Sequence, residues 1–170
     1  LFNSRDLCMF GHIPEMIEAG IDSFKIEGRM KTALYVATVA RTYRRAIDDC
    51  LESVEKYQAN MDWYLAEIAK CTYRQFTTGF YFGKPDETTQ IYDNSTYVNE
   101  YTYLGTVGEI VRTAGSICAR IEQRNKFCVG DEIEIMKPGG GNVPATVLAM
   151  YNEAGESVAS CPHSKQVIDV

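Results

Sequence analysis

Two hydrophobic periods share the first part of the chain. Over residues 21–27 the pattern alternates: Phe24 and Ile26 point one way and Lys25 and Glu27 the other, as on a half-buried strand. Over residues 33–57 the apolar positions Val36, Val39, Ala40, Tyr43, Ile47, Cys50, Leu51 and Val54 recur at helical spacing and predict one long amphipathic helix. Residues 1–4 read as a short strand and residues 12–19 as a short helix. Pro14 falls in its first turn, where a missing N–H costs least, and Gly20 supplies the stop. A loop over residues 28–32 leads into the long helix. Strand, helix, strand, helix is the order of consecutive β/α units. A further helix is predicted over residues 61–71, with Asn60 as its N-cap.

The texture then changes. Residues 77–85 are rich in glycine and aromatics, and residues 86–98 are polar and turn-like. From Tyr101 the pattern is all-β, with strands predicted at 101–111, 117–122, 132–136, 145–150, 157–160 and 166–170, separated by glycine-containing turns. Five or six short strands fit a small closed barrel, which removes exposed edges. The run from Pro138 to Asn142 lacks the Gly-Lys-Ser/Thr ending of a phosphate loop and reads as a hairpin tip. The expected fold class is therefore α/β plus β. Residues 1–75 form the last β/α units of a barrel, 76–98 a junction and 99–170 a β-barrel. The chain opens in mid-motif with Leu1 and reads as part of a longer protein.

Charge and cysteine usage narrow the chemistry. The net charge of −6 argues against a surface adapted throughout to nucleic acid. Local cationic groups remain, at Arg41, Arg44 and Arg45 on the long helix and at Lys25, Arg29 and Lys31. The first group reads as a solvated helix face. The six cysteines form no Cys-x-x-Cys pair, so a zinc ribbon is not expected. Their wide spacing suits reduced thiols in the cytoplasm. No apolar run approaches the roughly 20 residues that span a bilayer, so no membrane partner is expected.

Cys8 stands apart, because it follows Arg-Asp-Leu in a loop position rather than lying inside a periodic segment. It is either a thiolate ligand of an iron–sulfur cluster or a buried, inert thiol, the commoner use of a free cysteine. Lys25, Glu27 and Arg29 also allow two readings. A strand that sends Lys and Glu to one face suits the inner wall of a β/α barrel, where the set would grip an anionic substrate. The same charges could form an internal ion pair, since buried charges need partners. Cys8 and this set would meet at one rim. Neither His12 nor His163 has the neighbours of a hydrolytic triad. Phe80, Tyr81 and Phe82 could stack on bases, although packing at a domain junction is the simpler reading.

The motifs together resemble peptidase family U-32, the collagenase-like peptidases. The resemblance is carried by Phe2-Asn3-Ser4-Arg5-Asp6-Leu7-Cys8, Ile13-Pro14-Glu15, Ala19-Gly20-Ile21-Asp22-Ser23, Lys25-Ile26-Glu27-Gly28-Arg29-Met30-Lys31 and Tyr35-Val36-Ala37-Thr38-Val39. It continues through Thr77-Thr78-Gly79-Phe80-Tyr81-Phe82-Gly83-Lys84-Pro85, Glu122-Gln123-Arg124-Asn125, Gly130-Asp131-Glu132, Glu134-Ile135-Met136 and Pro162-His163, nearly the whole chain.

The resemblance implies a TIM-like β/α barrel followed by a small elongation-factor-like β-barrel, with this chain as the C-terminal part. It implies a four-iron, four-sulfur cluster with Cys8 as one ligand and the others upstream. It leaves the family's activities open: proteolysis of collagen, or hydroxylation of RNA bases, including the tRNA wobble uridine, or of quinones. With no nucleophile–base pair visible, the expected parent is a cytoplasmic RNA hydroxylase acting on tRNA or rRNA, with Lys25, Glu27 and Arg29 contacting substrate. The alternatives are a collagenase-like protease acting on peptide, and a non-catalytic RNA- or protein-binding β-barrel module. This chain alone is expected to be inactive as an enzyme.

Overall fold

The chain divides into two compact units, Leu1–Tyr101 and Thr102–Val170. The computed structural model describes residues 3–71, 74–87, 90–91, 101–113 and 116–170.

In the first unit, β1 (Asn3–Ser4) and β2 (Asp6–Leu7) precede a 3-10 turn at Phe10–His12 and helix α1 (Ile13–Glu18). Pro14 sits in the first turn of α1 and Gly20 follows its end with φ +77°, as the sequence predicts. Then come α2 (Ala33–Glu52), α3 (Val54–Ala59), α4 (Met61–Ala69), β3 (Phe76–Thr77) and β4 (Gln90–Ile91). β2 pairs in parallel with β3, Asp6 opposite Phe76, and β1 pairs antiparallel with β4, Asn3 opposite Ile91. The core gathers Phe10, Ile13, Val39, Ala46, Tyr64 and Ile68 between the 3-10 turn and the helices.

Three expectations are corrected here. Residues 21–27 form no strand. The alternation is present, with Phe24 and Ile26 packed on the core and Lys25 and Glu27 exposed, but no described strand pairs with the segment, and a ladder needs a partner. The long helix breaks at Ser53, whose backbone is extended (φ −163°, ψ 147°). Its Oγ accepts the Lys56 N–H at 3.0 Å and so starts α3 as an N-cap. Asn60 does not cap α4 with its side chain. Its amide instead donates to Asp49 Oδ2 at 3.0 Å.

The second unit holds β5 (Gly105–Thr113), β6 (Ser116–Gln123), β7 (Glu132–Ile135), β8 (Val143–Thr146) and β9 (Val167–Asp169). β5, β6 and β9 form an antiparallel sheet in that order, and β7–β8 is a hairpin. Its tip, residues 136–142, carries Gly140 and Gly141 at positive φ, so the hairpin reading of Pro138–Asn142 holds. The predicted Ala114–Gly115 turn lies outside the described residues. A register shift between Val107 and Glu109 places Gly108 at a bulge.

Phe127, Val147, Met150, Cys161 and Ile168 form the core of this unit. Among the described residues the strands of this unit fall into a three-stranded sheet and a two-stranded hairpin. The strand predicted at 157–160 is reduced to isolated bridges, Ser157 to Tyr151 and Ser160 to Cys128. Before it, Asn152 Oδ1 accepts the N–H groups of Ala154 (3.0 Å) and Glu156 (2.9 Å) and closes the turn that brings Ser157 opposite Tyr151.

Candidate active site

Cys8 sits where the chain leaves β2. The parallel pairing fixes it: Asp6 N–H donates to Gln75 O at 3.0 Å and Cys8 N–H to Thr77 O at 2.9 Å. The Asp6 carboxylate accepts the Arg74 N–H at 2.9 Å and ties the approach to β3. The carboxyl ends of parallel strands are where α/β folds place their chemistry.

The Cys8 side chain is half-buried beside a small cavity of about 40 Å³, which Asp6, Tyr35, Tyr43 and Cys71 also line. Burial pushes the Cys8 thiol up, against a smaller opposing influence of the neighbouring Phe10 backbone and Tyr43 hydroxyl. Tyr43 comes from α2. Its ring stacks on Phe10 with centroids 3.7 Å apart, and its oxygen accepts the Met9 N–H at 3.1 Å. Cys71 is buried, and burial raises its thiol as well, against a bond from Thr38.

No histidine lines this cavity. His12 instead faces Glu15 (Nδ1 to Oε1 3.5 Å) and the Phe82 ring (4.4 Å between centroids). A thiol protease would need a base within reach of its sulfur, and among the residues lining the described cavity that base is not a histidine. Among the described residues no group of three or more His, Cys, Asp and Glu side chains is arranged to hold a metal. Cys8 is a half-buried sulfur at the end of β2, on the edge of the cavity.

Lys25, Glu27 and Arg29 are exposed and do not line the Cys8 cavity. Glu27 Oε1 accepts the Arg29 N–H at 2.9 Å and shapes the turn that follows. The link to the cavity runs through Tyr35. Burial raises its phenol first, followed by the charges of Asp6, Cys71, Cys8 and Glu27, while Lys31 Nζ lies 5.1 Å from its ring centre. Glu27 and Lys31 thus flank the outer side of a tyrosine whose inner side meets the cysteine cavity.

The arginines of α2 are not a free cationic face. Arg41 pairs with buried Glu67, Arg44 with Asp48 at 2.5 Å, and Arg45 with Asp49 at 3.8 Å while stacking on Trp63. In the glycine-aromatic loop, Thr77 Oγ1 accepts the Gly79 N–H at 3.1 Å and Gly79 takes φ +59°. Phe80 is 80% exposed, and Tyr81 and Phe82 are exposed too, although Phe82 keeps its ring contact with His12. Phe80, Tyr81, Leu7 and Arg5 border an open depression of about 530 Å³. Tyr35, Tyr43 and Cys71 are the site residues that sequence reasoning missed as chemistry. Tyr43 was visible only as an apolar helix position.

Residues 1–91 match the model of peptidase family U32, and residues 99–170 match that of the peptidase family U32 C-terminal domain. The chain is 35% identical over 164 residues to tRNA hydroxylation protein P1 of Bacillus subtilis, covering 96% of this chain and 38% of that protein. It is 32% identical over 162 residues to tRNA hydroxylation protein P of Escherichia coli, covering 95% of this chain and 34% of that protein. A collagenase of Porphyromonas gingivalis is 31% identical over 142 residues, covering 83% of this chain and 38% of that protein. The chain therefore spans little more than a third of the length of these relatives.

Proposed function

The chain belongs to peptidase family U32, and from that premise we propose that it is the C-terminal part of an iron–sulfur-dependent enzyme that hydroxylates RNA, with the wobble uridine of tRNA as the target. The observation that carries this reading is the setting of Cys8: at the end of a parallel strand, half-buried beside a cavity that no histidine lines. That setting suits a metal-bound thiolate better than a nucleophile. The names of the Bacillus subtilis and Escherichia coli relatives support RNA as substrate.

Cys8 would be one ligand of a four-iron cluster, with the others from parts of the full-length protein outside this chain. Such a cluster supplies one-electron redox chemistry. Lys25 and Arg29 would contact RNA phosphate, and Glu27 would hold the Arg29 backbone in place. In the full-length protein the first unit would complete a TIM-like barrel, and the second would act as an elongation-factor-like barrel against RNA, in the cytoplasm. No helix among the described residues is long and apolar enough to cross a membrane.

The test is mass spectrometry of tRNA and rRNA nucleosides from a strain lacking the full-length gene. A hydroxylated pyrimidine should disappear and return with the wild-type gene. An unchanged profile would rule out RNA hydroxylation. The Porphyromonas gingivalis relative favours a second reading, a collagenase-like protease, which predicts peptide cleavage that survives loss of Cys8.

A further inference from the structure

We propose that the open depression bordered by Arg5, Phe80 and Tyr81 is a nucleotide subsite for single-stranded RNA: the two aromatic rings stack on a base and the Arg5 guanidinium holds its phosphate. The inference rests on the RNA reading given above and adds the residues that grip the substrate.

The depression lies wholly within the first unit, and its volume of about 530 Å³ falls in the range of about 300–1,000 Å³ typical of small-ligand sites. Leu7 and Thr77, paired across β2 and β3, border it from the strands. Phe80, Tyr81 and Pro85 border it from the loop that follows β3. That loop is held by its own turns. Thr77 Oγ1 accepts the Gly79 N–H at 3.1 Å, Thr78 O accepts the Tyr81 N–H at 3.3 Å, and Phe80 O accepts the Gly83 N–H at 3.4 Å. Phe82 is engaged with the His12 ring, whereas Phe80 and Tyr81 remain 80% and 57% exposed at the depression. Exposed rings on a backbone fixed in this way are a platform on which a base can stack.

Arg5 supplies the charge. It is the only charged side chain among the described residues lining the depression. Its Nε is buried without a hydrogen-bond partner, and no ion pair engages its guanidinium among the described residues. The adjacent Asp6 carboxylate instead accepts the Arg74 N–H at 2.9 Å. A buried donor without an acceptor costs free energy that a bound acceptor recovers. Guanidinium and phosphate match through two parallel hydrogen bonds. Apolar rings with one uncompensated arginine beside them therefore fit one nucleotide, with its base on the rings and its phosphate on the cation.

The experiment uses the full-length protein and an unmodified tRNA transcript, with Kd measured at several salt concentrations. Replacing both rings, by Phe80→Leu with Tyr81→Leu, should weaken binding about tenfold or more at every concentration and leave the salt slope as in wild type. Arg5→Gln should lower that slope by about 0.7, the share of one phosphate contact on a single strand, and Arg5→Lys should restore it. Wild-type affinity in the ring variant, or a wild-type slope in Arg5→Gln, overturns the inference. A lower thermal midpoint in the ring variant with unchanged tRNA affinity also overturns it, because the rest of the full-length chain then covers the depression. Loss of collagen-peptide cleavage in that variant with tRNA binding intact would assign the site to a peptide, and overturns it too. Photocross-linking of the wild-type protein to tRNA carrying 4-thiouridine needs no variant to fold. Cross-links should map within residues 77–85, and cross-links confined to other segments overturn the inference. If the deletion strain keeps its hydroxylated pyrimidine, the RNA reading itself fails. If the pyrimidine is lost while these variants bind as wild type does, only the subsite fails.

Discussion

Asp49 shows how single residues hold the first unit together. It is a buried carboxylate on α2 that accepts from the Tyr64 hydroxyl at 2.6 Å and the Asn60 amide at 3.0 Å and pairs with Lys56 at 3.0 Å. Burial alone would raise its pKa, but the bonds from Tyr64, Lys56 and Asn60 outweigh it and hold the carboxyl below its ordinary value. Asp49→Ala would leave the fully buried Tyr64 hydroxyl without this partner. The expected loss is about 1–3 kcal/mol from that group alone, read as a lower denaturation midpoint. A wild-type midpoint would show that the network does not stabilise the fold. Gly105 plays a comparable part in the second unit, where an added Cβ would come within 2.6 Å of the Glu122 carbonyl oxygen. Backbone cannot swing aside as a flexible side chain can, so Gly105→Ala should cost about 1–3 kcal/mol, again measured by denaturation.

At the scale of elements, the helices were readable because a 3.6-residue period survives in any context, whereas strand pairing depends on a partner. Residues 21–27 show the difference. Their inward and outward faces are correct, yet no ladder forms among the described residues. The break at Ser53 was not readable, because Val54 and Tyr57 continue the apolar spacing across it; only the extended backbone of Ser53 separates α2 from α3. Ser53→Ala should remove the α3 cap and cost about 1 kcal/mol, visible as a lower thermal midpoint with the helix content otherwise retained. The tie between α2 and α4 is the buried Arg41–Glu67 pair, which Lys70 joins at 2.6 Å. Glu67→Ala would leave Arg41 buried without its carboxylate, at a cost of about 3–5 kcal/mol, enough to loosen the helical layer around the Cys8 cavity. In the site itself Cys8 was legible from its motif. Tyr43 was not, because its polar role depends on Met9, 34 residues away in sequence.

At the scale of the whole molecule, both units depend on carboxylates held below their ordinary pKa. In the second unit the paired hydrogen bonds of Arg120 to Asp169, at 2.8 and 2.9 Å, lower the Asp169 pKa. Both folded values lie below the unfolded value of about 3.9. Their stabilisation is therefore complete above that pH and is lost as pH falls through the folded values. Thermal midpoints should drop as pH falls below about 4, and Asp49→Asn should flatten the profile of the first unit; an identical acid profile in that variant would refute the assignment. At the alkaline end the sign reverses. Tyr57 is pushed up to about 12, mainly by burial, so its contribution holds up to its ordinary value of 10 and is lost as pH rises towards 12.

The central claim is that Cys8 serves RNA hydroxylation as a ligand rather than proteolysis as a nucleophile. The most direct measurement is nucleoside mass spectrometry of tRNA from the gene-deletion strain complemented with full-length Cys8→Ala at wild-type protein levels. The account predicts that the hydroxylated pyrimidine stays absent, whereas wild type restores it. Full restoration by Cys8→Ala would contradict it.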